Sequence, residues 1–246
     1  RNRRATATGR RSRRFAARAA QARRSEQFVP TAAAAVDYAP AMVRPLPVAM
    51  PAPPPPEAPD QRIVLTGVTW AQYEAVRAAL DDKAGLRMTY LAGELEIMSP
   101  SRRHEHLKTF IARLIEAYAD RRRIELLGFG SETYRREAAE RGLEPDECYC
   151  VGAEKDVPDI ALEVITTSGG IDKLEVYRGL EVPEVWFWVD VRFAIYELVA
   201  GSYQPRPRSR FLPALDLQRL AELVATTPRA QQAQAVWRFR EELERG

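Results

Sequence analysis

The chain has 246 residues, 46% of them apolar and 29% charged, with a net charge of +3 and only two cysteines. That is enough apolar material for a packed core, while no apolar run approaches a membrane span and two cysteines make no disulfide framework. Ten arginines and no acid fall in residues 1–24, so residues 61–246 sum to roughly −4 and the overall balance gives no sign that the folded part binds polyanions.

Residues 1–60 read as a disordered extension, Arg-rich and then Ala/Pro-rich through PAMVRPLPVAMPAPPPPEAPD, because no apolar period offers a face to bury. The chain begins with Arg rather than Met, which reads as a fragment, a processed product or a start placed upstream; a transit peptide and a nonspecific nucleic-acid arm are the functional alternatives. Residues 61–246 are expected to form one domain. Thr69 with Gln72 three positions later gives a capping-box pattern ahead of helically spaced apolar residues in TWAQYEAVRAALDD, and predicts a helix. LRMTYLAGELEIMSP alternates on both sides of Ala92-Gly93 and predicts a hairpin. In RRHEHLKTFIARLIEAYADRRR, Leu107, Phe110, Ile111, Leu114, Ile115 and Tyr118 form one helical stripe. Short strands are predicted at 124–127, 131–137, 146–151, 159–166, 184–190 and 193–199, a helix at 171–180, and a closing helix from Pro228.

The most strand-like segment, PDIALEVIT, contains acids. Asp159 and Glu163 are four apart on one face, roughly 13 Å from each other at the strand rise, too far to share one cation. If the segments 146–151 and 159–166 form an antiparallel hairpin through GAEKDV, aligning Val151 with Pro158 places Glu163 opposite Asp146. Opposed carboxylates about 5 Å apart repel unless a cation lies between them. Lys173 follows the turn TTSGG at a helix start, from which its flexible stem reaches back toward the pair. Asp, Glu and Lys around a hard cation suit phosphodiester cleavage. The plain alternative is a solvated strand face, with Lys173 pairing Asp172 or Glu175 on the surface.

Cys148 and Cys150, two apart on one strand, lack disulfide geometry and suit a reducing compartment. A zinc set with His104 and His106 lacks the usual paired spacing, and small packed side chains are the preferred reading. The two histidines diverge at a helix start and make no i, i+4 metal pair.

The stretches GELEIMSPSRRHE, GLEPDECYCV, PDIALEVITTSGGIDKLEVYRGLEVPEVW and ELVAGSYQP together resemble the Uma-type (Uma-two) restriction endonuclease family of the PD-(D/E)XK nuclease-like superfamily, over about residues 62–225. The resemblance implies an α/β (mixed α+β) fold with a restriction-endonuclease-like core, a mixed β-sheet flanked by helices. It gives Asp146 the aspartate role and Glu163 the second acid. Ile165 occupies the lysine position of the superfamily's acid-x-lysine triplet, and Lys173, in the family's DKLE-Y segment, is the substitute. Glu94 is implied as a further acid, His104 stands at the family's recurrent histidine, and Asp159 supports the site. The implied activity is DNA endonucleolytic hydrolysis with Mg²⁺ or Mn²⁺ held by Asp146 and Glu163, with a homodimer as a further option. A cytoplasmic protein with no membrane partner is expected separately, from the lack of a long apolar run or secretory leader and from the two cysteines. The rival is a nuclease fold that no longer cuts and serves as a binding or assembly module.

Overall fold

The computed structural model describes residues 57–80 and 85–245. The expectation of disorder for residues 1–56 lies outside them. In chain order the elements are β1 (Gln61–Thr66), α1 (Trp70–Leu80), β2 (Arg87–Leu91), β3 (Glu94–Ser99), α2 (Arg102–Arg122), β4 (Leu126–Gly128), β5 (Tyr134–Arg136), β6 (Arg141–Leu143), β7 (Glu147–Val151), β8 (Ile160–Val164), α3 (Lys173–Leu180), β9 (Glu184–Val189), β10 (Arg192–Val199), β11 (Ser202–Arg206), α4 (Leu217–Thr226) and α5 (Gln232–Arg245). No helix among the described residues is long and apolar enough to cross a membrane.

Local chemistry accounts for the turns and caps. Thr69 N–H donates to the Gln72 side chain at 2.8 Å and Gln72 N–H to the Thr69 hydroxyl at 3.3 Å, which closes the capping box that starts α1. The β2–β3 hairpin turns at Ala92 (φ 43°) and Gly93 (φ 97°), two successive left-handed residues whose twist matches that of paired strands. The same two-residue geometry joins β9 to β10 at Asp190 and Val191, and β10 to β11 at Ala200 and Gly201.

Two sheets result. The expected mixed sheet is the one ordered β11-β10-β9-β8-β7-β4, in which β8 and β9 run parallel and the other neighbours antiparallel. An additional, wholly antiparallel sheet has the order β1-β3-β2-β6-β5. Helix α3 is the crossover that parallel pairing of β8 and β9 demands. On one face of the mixed sheet, Phe110, Ile111, Leu114 and Ile115 of α2 pack with Ile160, Leu162 and Val164 of β8, together with residues of α4 and α5. On the other face, Val176, Tyr177 and Leu180 of α3 pack with Cys148, Ala161 and Val185 and reach Tyr134 and Leu143 of the antiparallel sheet. Tyr73 of α1 covers Met88, Tyr90 and Leu95 of the antiparallel sheet.

Four elements were not predicted. Strand β1 is exposed along most of its length, so burial imposes no alternation, and β6 has only three residues. Strand β11 contains Pro205, tolerated because the strand lies at a sheet edge. Helix α4 has a readable signal, with Asp216 capping Arg219 N–H at 3.0 Å ahead of buried Leu220, Leu223 and Val224. Before β1, Glu57 pairs with Arg229, and Asp60 packs into the site described below.

Candidate active site

The β7–β8 hairpin pairs Glu147 with Leu162, Cys148 with Ala161 and Tyr149 with Ile160, the predicted register. One further step sets Asp146 opposite Glu163. Because successive strand residues alternate faces, Ile160, Leu162 and Val164 enter the core under α2, while Glu163 faces α3. Asp172 caps α3 by accepting Leu174 N–H at 3.0 Å, which fixes Lys173 as the first helical residue. Its ammonium lies 2.5 Å from Glu163 Oε2, and Tyr177, one turn on, donates its hydroxyl to Oε1 at 2.5 Å. The Glu163 side chain is fully buried and that of Lys173 is 11% exposed.

Asp146, also buried, accepts Val164 N–H through Oδ2 at 2.7 Å, and the same oxygen stands 2.9 Å from His104 Nε2. The other ring nitrogen of His104, Nδ1, is 3.1 Å from Asp60 Oδ2. Ser101 caps α2 by accepting His104 N–H at 3.1 Å, and its own N–H donates to Asp60 Oδ1 at 2.7 Å. The Thr166 hydroxyl also donates to Asp60 Oδ2.

Burial sets a high electrostatic cost here, and the partners decide who carries charge. Burial pushes the Glu163 carboxyl up to about 7, with Lys173 opposing the rise and the Asp146 charge adding to it. Burial would lower Lys173, but Glu163 and Asp146 outweigh it, so the ammonium stays protonated. Burial would raise Asp146; His104, Lys173 and the Val164 N–H hold it below the ordinary carboxylate range. His104 is raised despite its burial, by Asp146 and Asp60. Burial and the adjacent Glu163 carboxylate keep the Tyr177 hydroxyl neutral, so that it donates to Glu163 Oε1.

Among the other sequence candidates, Glu94 sits exposed at the start of β3 and does not reach the cluster. Its place is taken by Glu96, buried mid-strand, which accepts Ile171 N–H at 3.1 Å and lies 3.3 Å from Arg62 Nε. These two tie down the loop leading into α3: a Cβ on Gly170, where φ is 101°, would sit 2.2 Å from the Glu96 carboxylate, so only glycine fits. Asp159 is not part of the cluster. It accepts Val151 N–H at 2.7 Å and pairs with Lys155, closing the far end of the hairpin. Cys148 and Cys150 are free and buried, with the Cys148 thiol on Gly130 O at 3.3 Å, and His106 does not join them. Tyr177, Asp60, Glu96, Arg62 and Thr166 are the residues that sequence reasoning missed. Tyr177 alone carried a signal, its i+4 spacing from Lys173.

Asp146 and Glu163 are hard oxygen donors, and no described residue hydrogen-bonds Asp146 Oδ1. No group of three or more His, Cys, Asp or Glu side chains among the described residues is arranged for a metal. A cation here would rest on two protein carboxylates and complete its shell with water and phosphate, which is how Mg²⁺ is ordinarily held at phosphoryl-transfer sites. By type the two carboxylates suit Mg²⁺ or Mn²⁺, while Lys173 and Tyr177 engage both oxygens of Glu163. A comparison with curated proteins finds no match. The family model Uma2, described as putative restriction endonuclease, matches residues 70–228, well over half of the chain, and the chain belongs to that family.

Proposed function

We propose that the chain is a Mg²⁺- or Mn²⁺-dependent endonuclease that hydrolyses DNA phosphodiester bonds at Asp146, Glu163 and Lys173. The observation that carries this reading is the buried Lys173 ammonium 2.5 Å from Glu163, on a helix rather than at the Ile165 position of the strand. Asp146 and Glu163 would hold the cation, which when bound supplies Lewis-acid polarisation of the phosphate and lowers the pKa of water. Lys173, kept charged by two carboxylates, orients the attacking water or offsets charge developing on the phosphate oxygens. Tyr177 fixes the Glu163 side chain through Oε1, and His104 and Val164 N–H fix Asp146 through Oδ2. The two free thiols suit a reducing, cytoplasmic compartment.

The test is cleavage of plasmid, linear and single-stranded DNA with Mg²⁺ or Mn²⁺, beside an Asp146→Ala control. Cutting should vanish in excess EDTA and in the control; undiminished cutting in either rejects the reading. A nuclease fold that binds without cutting is the second reading, favoured by Glu163 having both oxygens engaged. DNA binding with no cleavage in either metal decides for it.

A further inference from the structure

Asp60 has no part in the chemistry proposed above, yet it ends a chain of three enclosed ionisable groups that leads to Asp146. The side chains of Asp60, His104 and Asp146 are each 1% exposed. Asp60 Oδ1 accepts Ser101 N–H at 2.7 Å; Oδ2 accepts the Thr166 hydroxyl and lies 3.1 Å from His104 Nδ1. On the other side of the ring, Nε2 stands 2.9 Å from Asp146 Oδ2. One carboxylate thus touches the start of α2, which carries His104, and the loop leaving β8, which carries Glu163. An imidazole with one nitrogen anchored has a single ring orientation to offer at the other. Burial would raise the Asp60 carboxyl, but Thr166, Ser101 and His104 hold it down at about 2.

We propose that Asp60 is a positioning residue: by anchoring His104 Nδ1 it holds Nε2 against Asp146 and limits the carboxylate to the orientation that leaves Oδ1 for a cation. The functional consequence rests on the metal reading of Asp146; the positioning itself does not. The competing explanation is that Asp60 only ties the segment before β1 to the cap of α2.

The chain has two histidines, so ring-nitrogen spectra carry two sets of signals, and His106→Gln assigns them. In metal-free wild-type protein, Nδ1 of His104 should be protonated with a slowly exchanging proton; an unprotonated Nδ1 overturns the proposal without any variant. Asp60→Asn keeps the shape and removes the charge. It should shift both His104 ring nitrogens and the Asp146 carboxyl carbon, and weaken Mn²⁺ binding about tenfold, the low end for residues that orient metal ligands. Glu57→Gln, exposed in the same segment, should leave all three at wild-type values. An unchanged Asp146 carboxyl signal and Mn²⁺ affinity in Asp60→Asn would reduce Asp60 to an anchor and reject the proposal. A wild-type protein that binds no Mn²⁺ removes the metal reading, and the Asp146 carboxyl signal alone then decides on positioning. Should Asp60→Asn fail to fold, Thr166→Val replaces it, removing a donor to Asp60 Oδ2. Shifted His104 ring signals in that variant uphold the link, and unshifted ones break it.

Discussion

At the loop end of the β7–β8 hairpin Lys155 pairs with Asp159, and at the open end Lys173 pairs with Glu163. Both acids lie on one strand segment, four residues apart, and both partners are lysines. Lys155 is 43% exposed and its partner Asp159 is buried; by extension of the register Asp159 faces Cys150 rather than a second acid, and Val151 N–H also meets its carboxylate, so the pair serves to close a turn. Glu163 is fully buried, faces Asp146 and has α3 laid over it, so its ionisation is contested by burial and by a second carboxylate. Residue type and a buried acid make a salt bridge at either end; an opposed second acid and a lysine shielded from water turn only one of them into a site with chemical potential.

The largest contrast should appear in catalysis. Lys173→Met, which keeps the apolar stem, should lower the single-turnover cleavage rate by about two orders of magnitude or more, the scale of one transition-state electrostatic partner. Lys155→Met should cut at a near-native rate; equal rates for the two variants would erase the distinction between the two ends. Next comes stability, read from denaturant midpoints. Lys173→Met leaves a buried carboxylate unpaired and should cost about 3–5 kcal/mol at pH 8, less below pH 7 where Glu163 takes up a proton. An equal cost at pH 6 and pH 8 would mean that Glu163 is not the group left in trouble.

The pH dependence of the metal-free protein sharpens the same point. Glu163 titrates near 7 when folded against an ordinary 4.5, so between those values the folded state holds a proton that the unfolded chain releases. The Glu163 contribution to stability therefore declines as pH climbs from about 4.5 to about 7, by on the order of 2–3 kcal/mol, and levels off above. Glu163→Gln should flatten that decline and Asp159→Asn should not. The smallest effect belongs to the pair with the exposed lysine: Lys155→Met should cost less than Lys173→Met at any of these pH values, because Val151 N–H still meets the Asp159 carboxylate.

What could be read in advance follows from how local each signal is. The hairpin register was legible because two alternating runs and a short loop leave little freedom, and Lys173 because it opens the next helix. Strand alternation puts Glu94 and Glu96 on one face but gives no depth along it. Glu94 lies beside the β2–β3 turn in solvent, whereas Glu96 lies between Val64 and Thr89 in the sheet. Asp60 was hidden for a different reason. It directly follows a Pro-rich stretch whose composition reads as linker, and its contacts are with residues no nearby pattern announces. The antiparallel sheet was half hidden because β1 has no buried face to impose a period.

The spans that close the site also bear on the order in which the molecule assembles. Asp60 meets Thr166 across 106 positions and Glu96 meets Ile171 across 75. Contacts of such separation form late, because the entropy of closing the intervening chain must be lost before they return anything. A refolding chain that has made only the β7–β8 hairpin holds two facing carboxylates with no cation beside them. Lys173 arrives when α3 docks, and the Asp60–His104 link when the segment before β1 comes home. Packing of α2 on the mixed sheet depends on neither, so native-state hydrogen exchange should find the amides of Val164 and Ile171 opening in smaller excursions than those of the α2 core.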